Sequence, residues 1–195
     1  MNQKDFISFM KQVDNKLAGT IIFVGVTQFI LCMLIAECLY PGYNVSNNYI
    51  SDLGKLNAPS APIFNASVFV LGLTVAAGAC FLKQIIANKV FLCLLVLCGV
   101  GAMSVGIFPE DFGPIHLAAS LTAFLFGALS AITSYKFQKA PLSYFAVILG
   151  IISLSALILF GLKIDLGLGV GGVERMIVYP ILLWAIGFSG YLIRG

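Results

Sequence analysis

Six long apolar runs leave this chain few folds to choose from. They are Leu17–Leu39, Ile63–Ala87, Val90–Phe108, Ile115–Tyr135, Leu142–Leu162 and Glu174–Ile193. Each is close to the roughly 20 residues that carry a helix across the hydrocarbon core of a bilayer. A backbone in hydrocarbon must satisfy its own amides, so each run is expected to be a helix. Only 10% of the 195 residues are charged, against about 25% in a soluble domain. Too little polar surface remains to clothe a water-soluble fold. The expected architecture is an all-α bundle of six transmembrane helices, arranged as three outward-facing hairpins.

The connections alternate in charge, and that predicts orientation. With the N-terminus inside, Lys4, Lys11, Lys16, Lys83, Lys89, Lys136, Lys139 and Arg194 fall on the cytoplasmic side, and Lys55, Lys163 and Arg175 on the other. The positive-inside rule favours this arrangement, with both termini cytoplasmic in a cell membrane. Most acids take the opposite side: Glu37, Asp52, Glu110, Asp111, Asp165 and Glu174.

Residues 1–16 are polar, with a helical stripe of Phe6, Phe9, Met10 and Val13 running on to Leu17. They are expected to form either an amphipathic helix on the cytoplasmic leaflet or a frayed tail. Residues 17–195 form the membrane domain. The first apolar run is too long for a signal-peptide core, and no small-residue cleavage site follows it. Five cysteines, Cys32, Cys38, Cys80, Cys93 and Cys98, lie inside apolar runs. They read as small buried hydrophobes rather than zinc ligands or a disulfide framework. Small residues such as Gly72, Gly99, Gly187 and Gly190 suit close helix packing. Gln28, midway along the first run, is expected to bond across to another helix.

Polar chemistry gathers on the outer side. The loop Tyr40–Pro62 contains Tyr49-Ile50-Ser51-Asp52-Leu53-Gly54, and Asn65 opens the second run. Phe108-Pro109-Glu110-Asp111 is followed by His116, the only histidine. The stretch from Gly167 to Trp184 holds a glycine run, then Glu174 and Arg175, then Tyr179 and Pro180. It reads as a glycine-rich loop feeding the last helix. Taken in this order, the stretches resemble the DUF998 family of prokaryotic membrane proteins, a domain of unknown function. The chain is more distantly similar to the Frag1/DRAM/Sfk1-type six-helix proteins. The resemblance implies the six-helix fold and brings no substrate, so the chemistry rests on the residues.

Glu110, Asp111 and His116 are metal-compatible ligands, with Asp52 or Glu174 able to complete a set. A divalent metal is admitted but not favoured, because the alternative is solvated acids and a helix-bonding imidazole. Arg175, at a helix N-terminus, suits a phosphate or carboxylate. The alternative is a structural pair with Asp52 or Glu110, with Glu174 on a loop amide. Arg175 and Tyr179 are four apart and share a helix face. The glycine run is no Walker loop, since no Lys-Ser/Thr pair follows it. No ionisable residue lies at mid-membrane depth, which argues against a proton-driven carrier.

The leading expectation is a site that binds, or modifies, a membrane lipid or other amphiphile. Asp52, Asn65, Glu174, Arg175 and Tyr179 would bind it. If the protein is an enzyme, it would be a lipid-directed hydrolase or transferase. His116 with Glu110 or Asp111 would then do acid–base work. The alternative is a structural or accessory membrane subunit without catalysis. Partners are expected to be lipid, a second copy or another membrane protein, and not nucleic acid. One geometric expectation is exposed to a direct check: Asp52, His116 and Arg175 share a single cavity.

Overall fold

In a computed structural model of the chain, residues 3–194 are described. Among them are six α-helices and no strand: α1 (Gln3–Leu39), α2 (Ala61–Leu82), α3 (Lys89–Ile107), α4 (Pro114–Thr133), α5 (Leu142–Gly161) and α6 (Gly169–Arg194). All six are long and apolar enough to cross a membrane. Their large apolar side chains line the outside as well as the inside. Val24, Leu31, Leu34, Leu117, Leu121 and Leu183 are all exposed, as expected where the surrounding solvent is lipid.

Local sequence explains the helix ends. Asn88 caps α3, its side-chain oxygen accepting from Phe91 N–H at 3.1 Å. Pro114 opens α4 after Gly113, whose φ of 53° turns the chain sharply. Such φ values favour glycine because it has no Cβ to clash.

Helices adjacent in the chain pack side by side, and α6 returns to α1, so the six form a closed ring. α4 also touches α6 across it. Small residues set the closest approaches. A Cβ on Gly72 would lie 2.4 Å from Gly99 O, and one on Gly99 would lie 2.7 Å from Gly72 O. Only glycine at both positions lets α2 and α3 lie backbone to backbone. Gln28 donates from Nε2 to Ser67 O at 2.8 Å, joining α1 to α2 as expected of it. The end of the bundle away from the long loop is held by aromatic packing. Trp184 stacks on Phe188 with centroids 5.5 Å apart, and Phe188 meets Phe91 edge-on. Trp184 Nε1 donates to Ser134 Oγ at 2.8 Å.

α1 runs unbroken from Gln3 to Leu39, and its membrane-length apolar stretch spans Gln12–Leu39; the side chains of Phe6 and Phe9 lie outside the described residues. Two readings of the sequence, on the cysteines and on the glycine run, need correction. Cys38, Cys80 and Cys93 are exposed rather than buried, while all five cysteines are free. A thiol is apolar enough to face lipid. The glycine run is also not a loop. α6 begins at Gly169, and Gly171 and Gly172 lie in its first turn. Gly171 N–H donates to Ser46 O at 2.9 Å. A Cβ on Gly171 would stand 2.0 Å from Asn48 O and 2.4 Å from Val45 O. Gly169 and Gly171 therefore admit the backbone of the first loop against the start of a helix, in place of the expected glycine-rich loop.

Candidate functional site

The loop between α1 and α2 is not a solvated connector. It turns back over the open end of the ring and drives Ile50 and Leu53 into the core, where they are 3% and 0% exposed. A short 3-10 turn, Ser51–Gly54, follows Ile50 and carries Leu53. Three sets of contacts hold the turn there.

The first set comes from Arg175, itself 5% exposed. Its Nη2 donates to Glu37 Oε1 and to the Tyr43 hydroxyl, both at 2.7 Å. Its Nη1 donates to Val45 O and Gly171 O at 3.0 Å. The guanidinium lies 5.6 Å from the Tyr43 ring centroid, within cation–π range. Tyr43 passes the tie onward, donating to Tyr49 O at 3.0 Å. Burial pushes the Tyr43 phenol up to about 12, partly offset by Arg175, so it keeps its proton. The acid that pairs with Arg175 is therefore Glu37, and not Asp52 or Glu110. Arg175 faces α1 and the loop backbone.

The second set joins the first loop to the second. Ser51 Oγ donates to Glu110 Oε2 at 3.2 Å, and Leu56 N–H donates to Asp111 Oδ2 at 2.9 Å. Lys55 Nζ lies 2.5 Å from Asp52 Oδ1 and 3.5 Å from Glu110 Oε1. Asp52 also accepts from Asn48 Nδ2 and Tyr49 N–H. Burial pushes the Asp52 carboxyl up, but Lys55 and Asn48 outweigh it and hold Asp52 below its ordinary value. Glu110 is raised, first by burial and then by the charge of Asp52.

The third set lies under the turn. Asn65 Nδ2 donates to Gly54 O at 2.9 Å. Ser60 Oγ donates to Leu53 O at 2.7 Å. Glu174 Oε2 accepts from Ile50 N–H.

Beneath this lid lie two adjoining chambers. The inner one, about 90 Å³, is walled by apolar residues of α1, α2, α3, α4 and α6, among them Phe29, Phe64, Val68 and Leu182. The outer one, about 510 Å³, runs out between α4 and α5 past Leu117, Leu121, Leu157 and Phe160. Both are lined by the same five residues: Ser51, His116, Ser120, Phe124 and Glu174. These form a polar seam where the chambers meet. Glu174 is 5% exposed and His116 8%. The imidazole Nδ1 lies 2.8 Å from Phe108 O. A carbonyl only accepts, so Nδ1 carries the hydrogen and Nε2 of the neutral ring is an acceptor.

The sequence-predicted residues therefore separate into two groups. His116, Glu174 and Glu110 line the chambers. Asp52, Asn65, Asp111 and Arg175 are not among the lining residues; they fasten the lid. Tyr179, one turn beyond Arg175, is 38% exposed and outside both groups. Asp52, His116 and Arg175 thus do not share one cavity. Glu174 and Arg175 are neighbours on a helix, so one faces the chambers and the other faces α1. Among the described residues, no three His, Cys, Asp or Glu side chains are grouped as a metal ion would need. Glu110, Asp111 and His116 are spent separately, on Ser51, Leu56 N–H and Phe108 O. The sequence reading missed Ser51 and Ser120. Ser120 had a signal: it stands four residues after His116 and so shares its face.

The fold and its chambers define a six-helix, multi-pass membrane protein with a polar seam beneath a loop lid. The chain belongs to the DUF998 family, whose model, described as "Protein of unknown function (DUF998)", matches residues 23–190. No curated protein and no solved structure matches it, and a likeness to the Frag1/DRAM/Sfk1-type proteins is not shown.

Proposed function

We propose that this protein binds an amphiphile that enters sideways from the membrane. The carrying observation is that the two chambers share the lining residues Ser51, His116, Ser120, Phe124 and Glu174. A lateral mouth between α4 and α5 leads past exposed Leu117 and Leu121 to a seam of Ser51, His116, Ser120 and Glu174. An apolar pocket continues behind it. Ligand sites are typically apolar clefts with a few placed polar groups. The head of the amphiphile sits at the seam, and its tail lies along the mouth in lipid. By the charge pattern of the connections, the lid faces outward and both termini are cytoplasmic. The ligand is then drawn from the outer leaflet of the cell membrane.

Native mass spectrometry of the detergent-solubilised protein tests this reading. The wild type is expected to carry a bound amphiphile. Ser120→Trp, which fills the seam, is expected to lose it while keeping its helical circular dichroism. If nothing co-purifies with the wild type, or if the variant carries as much, the reading fails.

A structural or accessory role is the second reading. It is favoured by Gly190, which faces open space on α6, and small residues invite a close partner helix. It takes first place if the chambers prove empty.

A further inference from the structure

Resting on that reading, we propose that the site selects an amphiphile with a positively charged amine head and rejects phosphate-headed lipids. The selection follows from which charges reach the chambers. Glu174 and Glu110 line them, and among the described residues no lysine or arginine does. The nearby cations are already committed. Arg175 is turned away from the seam and bonded to Glu37, Tyr43 and loop carbonyls. Lys55 bridges Asp52 and Glu110. The adjoining groove beyond Tyr49 and Phe160 holds Lys163 and Asp165, one charge of each sign.

The hydrogen-bonding groups of the seam point to the same chemistry. Glu174 uses Oε2 on Ile50 N–H, which leaves Oε1 as an acceptor. His116, with Nδ1 committed to Phe108 O, offers Nε2 as an acceptor. The Ser51 hydroxyl is spent as a donor on Glu110 and keeps its lone pairs. An ammonium group has three donors and no acceptor, which matches the acceptors that Glu174, His116 and Ser51 offer. A phosphate brings only acceptors and negative charge to the same wall. It finds the Ser51 and His116 Nδ1 hydrogens already given to Glu110 and Phe108 O, and the buried carboxyl of Glu174 opposes its charge.

The test uses purified full-length protein in nanodiscs of zwitterionic phosphatidylcholine at neutral pH. The probe is hexadecylamine with a photoactivatable diazirine in its tail, and hexadecylamine, hexadecanol and hexadecyl phosphate compete against it. Saturable labelling of α4 and α5 peptides around Leu121 and Leu157 is expected. Hexadecylamine should compete at a concentration at least about tenfold below that of hexadecyl phosphate, a difference of about 1.4 kcal/mol. Glu174→Gln keeps an oxygen for Ile50 N–H and should erase most of that preference while hexadecanol still competes. Glu110→Gln, which leaves the inner chamber untouched, should weaken the preference in the same direction and serves if the first variant does not fold. If hexadecyl phosphate competes as well as the amine, the amine selectivity is overturned and the amphiphile site stands. If labelling never saturates or falls elsewhere, both are overturned.

Discussion

Glu37 and Arg175 stand 138 residues apart in the chain, and their side chains meet at 2.7 Å. This contact joins the end of the first helix to the start of the last. Both partners are largely buried, so removing one leaves the other charge without compensation.

Arg175→Ala is therefore expected to destabilise the protein by about 3–5 kcal/mol, the range for breaking a buried pair. Arg175→Lys should recover little, because an ammonium cannot reach Glu37, Tyr43 and two carbonyls in one fork. Thermal unfolding in detergent of Arg175→Ala, Glu37→Gln and the double variant measures the coupling. Strictly additive losses would show that the pair is incidental.

A second prediction concerns Gly171. A methyl group there meets the carbonyls of Asn48 and Val45, which are backbone and cannot swing aside. Gly171→Ala should cost about 1–3 kcal/mol as overpacking and loosen the first loop to limited proteolysis. Gly190→Ala meets nothing within 4 Å and should leave the melting temperature unchanged or slightly raised. Equal behaviour of the two variants would refute the close-approach account.

The lid should also respond to pH, with opposite signs for its two acids. The pKa of Glu110 is raised in the fold above its ordinary value of 4.5. Its contribution to stability is thus fully present below 4.5 and lost as pH climbs through the raised value. Asp52 is depressed below 3.8, so its contribution is present above 3.8 and lost as pH falls through the lowered value. As pH drops from 7 to 4.5, the wild type should gain stability relative to Glu110→Gln. Below 4 it should lose ground relative to Asp52→Asn. Each effect should stay below about 1 kcal/mol, because Lys55 and Glu110 are partly solvated. Parallel melting curves for all three proteins across this range would exclude the effect.

Orientation is the fourth prediction. A reporter fused after Lys139 should read cytoplasmic, and one fused after Lys163 should read external. A cytoplasmic signal at Lys163 would reverse the membrane side assigned to the lid, and with it the leaflet from which the ligand is drawn.

The six spans were legible in the sequence because hydropathy and length are properties of one stretch at a time. The partner of Arg175 was not. That Glu174 and Arg175 need separate partners follows from helix geometry, yet which of them faces the cavity depends on the rotation of α6 in the ring. One residue is about 100° of that rotation. Glycine misled for a related reason: Gly169, Gly171 and Gly172 look alike whether they loosen a loop or admit a second backbone, and only the position of Val45–Asn48 separates the two. Ile50 and Leu53 carried a signal that the loop folds inward, since a solvated turn has no use for both. His116 and Ser120 shared a helix face on spacing alone.

The closure of α6 on α1 has a consequence for how the protein is made. Spans leave the ribosome in order, and Glu37 enters the membrane with the first of them. Its counterion arrives with the last. Until then the first loop has no guanidinium to gather its carbonyls, and an acid waits at the end of a span where charge is costly. A chain cut off before Gly169 therefore lacks the guanidinium that pairs with Glu37.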